Sequence, residues 1–351
     1  DDTGRLWSPG IRVGVKPGSY QHVTEFFGPV LSVMHTHTLD EAIRLQNSTQ
    51  YGLTAGIHSL DRTEIAEWLR RVEAGNLYVN RDILGNTPQR QPFGGWLRSM
   101  VGTATKFGGP NSLLSLGAWR PNHGEQSQTL HLRGIDEQAT ALIESAAPFM
   151  DYETFDRLRR ASLSDQIAFN EEFGEVSDVS NLKFERNLMR YIPARATIRA
   201  AEDATLADLI RVIVAARIVR SKPVITSGIE VPDAVLAELH AQGLTVQRET
   251  DAEFAERART GGIETLRVRL IGGRRRELCD ALQGDPDISI WSDAVTPAGR
   301  IEALPFLREQ AISITAHRNG HPDPRMQQLF PYEQTIDPDA PITQGPIKSR
   351  G

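Results

Sequence analysis

Pro29-Val-Leu-Ser-Val-Met34, followed by Thr38-Leu-Asp-Glu41, is where this 351-residue chain first declares its architecture. Aliphatic and β-branched residues fill the first stretch, as a strand requires. The second has a hydroxyl followed three residues later by a carboxylate, the spacing of a capping box, and opens a helix with Ala42, Ile43 and Leu45 available for burial. Tyr51-Gly52 breaks that helix. Asp61-Arg-Thr-Glu64 repeats the opening, and Ile65, Leu69 and Val72 form an apolar stripe that is expected to end at Gly75 as the C′ residue. Asn76-Leu-Tyr-Val-Asn80 reads as the next strand. From 81 to 111 the chain is rich in Gly, Pro and Gln, and an irregular stretch of that length inside a compact domain is usually functional.

Further on, residues 118–134 turn polar, with Pro121, Gly124 and a Gln-Ser-Gln stretch, and mark a boundary. Helical patterns follow over 135–147 and 151–173. A second alternating series has β-like runs at Ala196-Thr-Ile-Arg199, Pro223-Val-Ile-Thr226, Leu244-Thr-Val-Gln247, Leu266-Arg-Val-Arg-Leu-Ile271 and Ile288-Ser-Ile-Trp291, with helices between them. That is a βαβ signature and predicts a mainly parallel sheet. The turn after its first strand, Ala200-Ala-Glu-Asp-Ala-Thr205, lacks the glycines that let a backbone approach a pyrophosphate, and Glu202 and Asp203 would repel one. The second unit is therefore expected to be Rossmann-like without binding nucleotide. A Pro-, Asp- and Gly-rich tail closes the chain.

With 39% hydrophobic and 24% charged residues the composition is that of a soluble globular protein, and a net charge of −6 gives no footprint for nucleic acid. No run approaches about 18 consecutive apolar residues, so no membrane-spanning helix is expected. The single cysteine, Cys279, excludes an intramolecular disulfide, and a cytoplasmic location is the simplest expectation.

Three short segments carry candidate chemistry. In Glu25-Phe-Phe-Gly-Pro29, an extended backbone would project Glu25 and Phe27 to one face, a carboxylate for two ribose hydroxyls beside a ring. Taken alone the segment reads first as a turn with an exposed Glu. Gln91-Pro-Phe-Gly-Gly95 offers Phe93, as a ligand wall or as a core ring in a tight turn. In Lys106-Phe-Gly-Gly-Pro-Asn111, Gly108 and Gly109 could aim successive N–H groups at one carboxylate.

Taken together with Asn76-Leu-Tyr-Val-Asn-Arg81 and Ser99, these segments resemble the aldehyde dehydrogenases, and within them the pyrroline-5-carboxylate (glutamate semialdehyde) dehydrogenase module of proline utilization A proteins. The resemblance runs from about Trp7 to Trp119. It implies that Glu25 and Phe27 contact NAD, that Phe93 lines the aldehyde tunnel, that Gly108 and Gly109 anchor the substrate's carboxylate, and that Leu116 lies near the substrate. Residues 192–321, with Ile301-Glu-Ala-Leu-Pro-Phe-Leu-Arg-Glu-Gln-Ala-Ile-Ser-Ile-Thr-Ala-His-Arg318 as their most recognisable stretch, resemble the noncatalytic accessory domain of the longer members. Asp82-Ile-Leu-Gly-Asn86 and Ser112 depart from the family's usual Gly-Ile-Thr-Gly-Ala and Tyr.

The expected fold class is α/β: the C-terminal part of an aldehyde dehydrogenase catalytic domain (1–117), a linker and helical segment (118–191), a Rossmann-like parallel-sheet domain (192–321) and a tail (322–351). The nucleophilic cysteine and general base would precede Glu25 in such an enzyme, so the chain reads as truncated and inactive alone, with no catalytic residue of its own. Cys279 reads as a structural helix cysteine, and Arg274-Arg-Arg276 as a solvated surface. His35-Thr-His37 and the pair His317 and His321 lack accompanying ligands, so no metal is expected. The implied reaction is NAD-dependent oxidation of glutamate semialdehyde, a small-molecule substrate, to glutamate in proline breakdown. The implied partner is either a second copy of the chain or the absent N-terminal half. The competing reading is a noncatalytic assembly or lid module for a separate dehydrogenase subunit.

Overall fold

The structure is a computed structural model that describes residues 3–103, 105–122, 124–125 and 131–327. The first part opens with β1 (Gly10–Val13) and β2 (Val30–Val33), a two-stranded parallel pair. Helix α1 (Leu39–Asn47) follows, then β3 (Thr54–Ile57), α2 (Arg62–Arg71) and β4 (Asn76–Val79). Thr38 caps α1 by accepting the Glu41 N–H at 3.1 Å. The capping box is incomplete, because the Glu41 carboxylate takes the His37 N–H at 2.9 Å instead of that of Thr38. Asp61 caps α2 through the N–H groups of Thr63 and Glu64.

After the irregular stretch come α3 (Glu137–Ala146), α4 (Tyr152–Ala168, continued by one π-turn to Phe173) and β5 (Glu185–Pro193). The Rossmann-like unit contains β6 (Thr197–Ala200), α5 (Leu206–Ile218), β7 (Val224–Ser227), α6 (Asp233–Ala241), β8 (Val246–Arg248), α7 (Asp251–Arg259), β9 (Arg267–Ile271), α8 (Arg275–Ala281) and β10 (Ser289–Trp291). Its sheet is all parallel, in the order β8-β7-β6-β9-β10. Helix α5 is buried nearly all round because it lies in the main core, packed with Leu142, Ile143, Leu158 and Ile198.

The last long strand, β11 (Leu307–Thr315), leaves this unit. It pairs parallel with β4 and antiparallel with β5 over nine residue pairs, giving a four-stranded sheet β3-β4-β11-β5. The second core is accordingly shared: Ile43, Ile65, Leu69 and Leu77 pack with Leu188, Ile312, Ile314 and Met326. The divisions expected at 117 and 192 are crossed by one sheet and one core. Local pattern could not show this, since β4 and β11 lie more than two hundred residues apart in sequence. The tail expected over 322–351 lies outside the described residues from 328 onward.

Helix α2 ends sooner than expected. Val72 is already extended (ψ 136°), three residues before Gly75, so Gly75 is not a helix-ending residue. Glycine is demanded there by contact: a Cβ would stand 2.0 Å from the Gly94 carbonyl oxygen.

Candidate functional site

The site is built on Asn76, the first residue of β4 and 1% exposed. Its side-chain amide donates to the Pro92 carbonyl at 2.9 Å, and its carbonyl accepts the Gly94 N–H at 3.2 Å. Phe93 and Phe107 exchange backbone hydrogen bonds of 2.9 and 2.8 Å, which lay the Pro92–Gly95 turn against the 106–111 loop. Lys106 Nζ donates to Asn76 Oδ1 at 2.7 Å and to the Gly94 carbonyl at 2.5 Å. Gly108 is needed twice over: φ is +72°, and a Cβ would lie 2.9 Å from Pro88 Cα.

Phe93, Gly108 and Gly109 are thus brought together, but not as a paired-amide nest. The Gly109 N–H closes a turn on the Lys106 carbonyl at 3.1 Å, so the two amides do not converge on one point. Leu116 is 78% exposed on a single 3₁₀ turn. Glu25 and Phe27 lie on the segment leading into β2. That segment is bent, not extended: the Gly28 N–H reaches the Phe26 carbonyl and the Val30 N–H the Gly28 carbonyl, each at 2.8 Å, and these tight turns leave the Phe27 ring 98% exposed. The carboxylate and ring therefore do not share a strand face, though both face solvent.

Residues that sequence reasoning passed over complete the arrangement. Glu309 on β11 accepts the Lys106 N–H at 2.7 Å and the Asn111 side-chain amide at 2.9 Å. Asn111, fully buried, also donates to the Tyr191 hydroxyl at 2.9 Å, which in turn donates to Glu172 at 3.0 Å. Burial and the nearby Glu309 and Glu172 carboxylates push the Tyr191 phenol well above its ordinary range. Gln91, 4% exposed, ties the loop to β5 and β11 by donating to Glu185, Asn187 and Ser313. A cavity of about 220 Å³ lies at this junction, walled by Phe93, Trp96, Ser99 and Lys106 on one side and Arg267, Trp291, Leu304 and Glu309 on the other. None of Glu25, Phe27, Gly108, Gly109 or Leu116 lines it.

Burial pulls the Lys106 ammonium from 10.5 down to about 7, with Glu309 acting in the opposite direction. Between those values the unfolded chain holds a proton that the folded chain has lost, so folding stability should climb as pH rises from 7. The slope is up to about 1.4 kcal/mol per pH unit. Urea unfolding at pH 7 and 9 measures it, and Lys106→Met should flatten the rise. An equal slope in the Lys106→Met protein would show that the rise comes from another group.

At the carboxyl ends of β6 and β9, where doubly wound sheets place ligands, the chain supplies its own carboxylate. Asp203 accepts the Gly273 N–H at 2.6 Å, and a Cβ on Gly272 would lie 2.3 Å from the same oxygen. Cys279 is half-buried on α8 and packs against the cluster of Phe254 and Leu278.

The geometry defines an α/β protein in which the first part is joined through one sheet to a parallel-sheet unit, and residues 1–116 match the aldehyde dehydrogenase family. Within that family the segment is similar to the 1-pyrroline-5-carboxylate dehydrogenase of Geobacillus thermodenitrificans, 36% identical over 114 residues, covering 32% of this chain and 22% of that protein. The likeness to the bifunctional protein PutA of Klebsiella aerogenes is 28% over 271 residues, 73% of this chain and 19% of that protein. The solved structure of proline utilization A from Corynebacterium freiburgense is 34% identical with a TM-score of 0.67, covering 92% of this chain and 29% of that one. The chain thus spans about a fifth of the length of the curated relatives it matches. Among the described residues no helix is long and apolar enough to cross a membrane.

Proposed function

We propose that this chain is part of an NAD-dependent dehydrogenase that oxidises L-glutamate γ-semialdehyde to glutamate in proline breakdown. The 36% identity to a 1-pyrroline-5-carboxylate dehydrogenase over 114 residues, together with the family match over residues 1–116, which hold Glu25, Phe93 and the Gly108-Gly109 loop, carries the reading. In it, Gly108 and Gly109 form the wall against which the substrate's carboxylate is anchored, Phe93 and Leu116 border the aldehyde, and residues 192–321 are a noncatalytic scaffold.

Glu25 and Phe27 fit a nucleotide: an exposed carboxylate can accept two ribose hydroxyls, and an exposed ring can lie against a nicotinamide. NAD, when bound, supplies the hydride acceptor. The nucleophile and base come from residues other than those of this chain, since Cys279 lies on α8 in the parallel-sheet unit.

The β1–β2 pair supports contact with a further layer. A parallel pair is normally covered on both faces, yet Ile11, Val13, Val30 and Leu31 are all more than half or about half exposed, at 71%, 64%, 50% and 56%. The occupant in this reading is the nucleophile-bearing half of the dehydrogenase.

The present chain alone, given glutamate semialdehyde and NAD, is expected to produce no NADH. Joined to a cysteine-bearing dehydrogenase half, the same sequence should turn over the semialdehyde in preference to an uncharged aldehyde of equal length. Turnover by the chain alone that vanishes in Cys279→Ala would overturn the reading.

A further inference from the structure

We propose that Glu309 is a positioning residue for the 106–111 loop: it clamps both ends of the loop, so that the glycines between are held in one conformation. Glu309 lies on β11, far outside the segment matched by the family. One of its oxygens accepts the backbone N–H of Lys106 at 2.7 Å and the other accepts the side-chain amide of Asn111 at 2.9 Å. Gly108 and Gly109 stand between these anchor points.

A segment with two adjacent glycines has more backbone freedom to lose than one with side chains at those positions. Hydrogen bonds to an ionised carboxylate are about twice as strong as neutral ones, and two of them on the loop's first and last residues restrict it more than either alone. The far anchor is itself fixed: Asn111 also holds the Tyr191 hydroxyl, Tyr191 donates to Glu172, and Glu172 is paired with Arg300 at 2.8 Å. Every one of these partners comes from chain beyond the family-matched segment, so the scaffold region reaches into the loop. The consequence for function rests on the reading above that this loop anchors a carboxylate: a loop ordered in advance binds an acid ligand with less loss of freedom.

Amide hydrogen exchange on the 351-residue chain tests the clamp directly. In Glu309→Ala the amides of 106–112 should exchange at least about tenfold faster while those of β5 are unchanged. Glu309→Gln, which keeps an acceptor for the Lys106 N–H, should lie between. Unchanged exchange in both variants overturns the clamp. In the complete dehydrogenase carrying Glu309→Ala, the KM for glutamate semialdehyde should rise about tenfold with kcat and the KM for an uncharged aldehyde of equal length kept. An equal rise for both aldehydes overturns the positioning role. Faster exchange with neither KM altered leaves the clamp standing and removes the carboxylate-anchor reading. If Glu309→Ala does not fold, Asn111→Ala, which removes the bond to one Glu309 oxygen and leaves the Lys106 N–H on the other, should speed exchange at 111–114, and no change there overturns the clamp.

Discussion

Glu302→Ala should destabilise the chain by about 3–5 kcal/mol, the range for stripping one partner from a buried ion pair. Glu302 is 2% exposed and Arg269, on the interior strand β9, is 3% exposed. Arg269 Nε donates to one Glu302 oxygen at 2.6 Å, and the other oxygen accepts the Thr296 N–H at 2.9 Å. Arg269 Nη1 donates to the carbonyls of Leu270 and Asp293 at 2.8 and 3.0 Å, which satisfies those hydrogens but not the charge. Alanine would leave that charge uncompensated in the sheet and orphan the Thr296 amide. A fall in the urea midpoint with an unchanged m-value would report it.

The pH dependence sharpens the test. Burial alone would raise the Glu302 carboxyl, but Arg269, Arg211 and the Thr296 amide outweigh it and hold the group below its ordinary value of 4.5. A depressed folded value means that the stabilisation is fully present above 4.5 and is lost as pH falls below it. Glu302→Ala should therefore differ most from the parent at neutral pH, and the two should converge on acidification. A constant gap from pH 7 to below 4.5 would place the loss in packing and not in charge.

How far such features were legible in the sequence follows from how local their causes are. The caps Thr38 and Asp61 and all five strands of the parallel sheet lie within two residues of their sequence readings, because a capping side chain or a β-branched run acts over a few neighbours. Strand β5 escaped for the opposite reason. Asn187 and Arg190 interrupt its apolar pattern, yet both are buried, and what makes this tolerable lies elsewhere in the chain: Arg190 donates to Gln310 at 2.8 Å and to the Leu69 carbonyl at 2.5 Å. Gln310 in turn donates to the Ala74 carbonyl at 2.8 Å. A polar residue that is satisfied only across a sheet looks like a surface residue until the sheet is known.

The site divides along the same line. Phe93, Gly108 and Gly109 stood out because glycine and proline are local punctuation. Asn76 was visible only as a strand start, and Glu309, Tyr191 and Glu172 as ordinary polar residues. Their meaning arises from the long-range pairing of β4 with β11, which brings the end of the family-matched segment against residues that begin more than fifty positions later. The extended reading of the segment at Glu25 failed because Gly28 and Pro29 support consecutive tight turns, a local cause that the strand-like Val30–Val33 run following it obscured.

Gly75→Ala should be comparably damaging, at about 3 kcal/mol, the upper end for overpacking a well-filled core. The residue cannot swing away. Its N–H donates to the Gly52 carbonyl at 2.9 Å and its carbonyl accepts the Ala311 N–H at 2.9 Å, so it is fixed between two chain segments. The added methyl would meet backbone at 2.0 Å, and the Gly94 carbonyl would have to retreat. That carbonyl is also an acceptor for the buried Lys106 ammonium, so the displacement weakens the bond that joins turn to loop. This second effect gives the prediction a signature beyond its size. Gly75→Ala and Lys106→Met act on the same oxygen, and their combined cost should depart from the sum of the single costs by at least about 0.5 kcal/mol, as expected for residues that share a partner. Additive losses, or a Gly75→Ala cost below about 1 kcal/mol, would mean that the turn at Gly94 moves aside easily and that the junction is looser than its packing density implies.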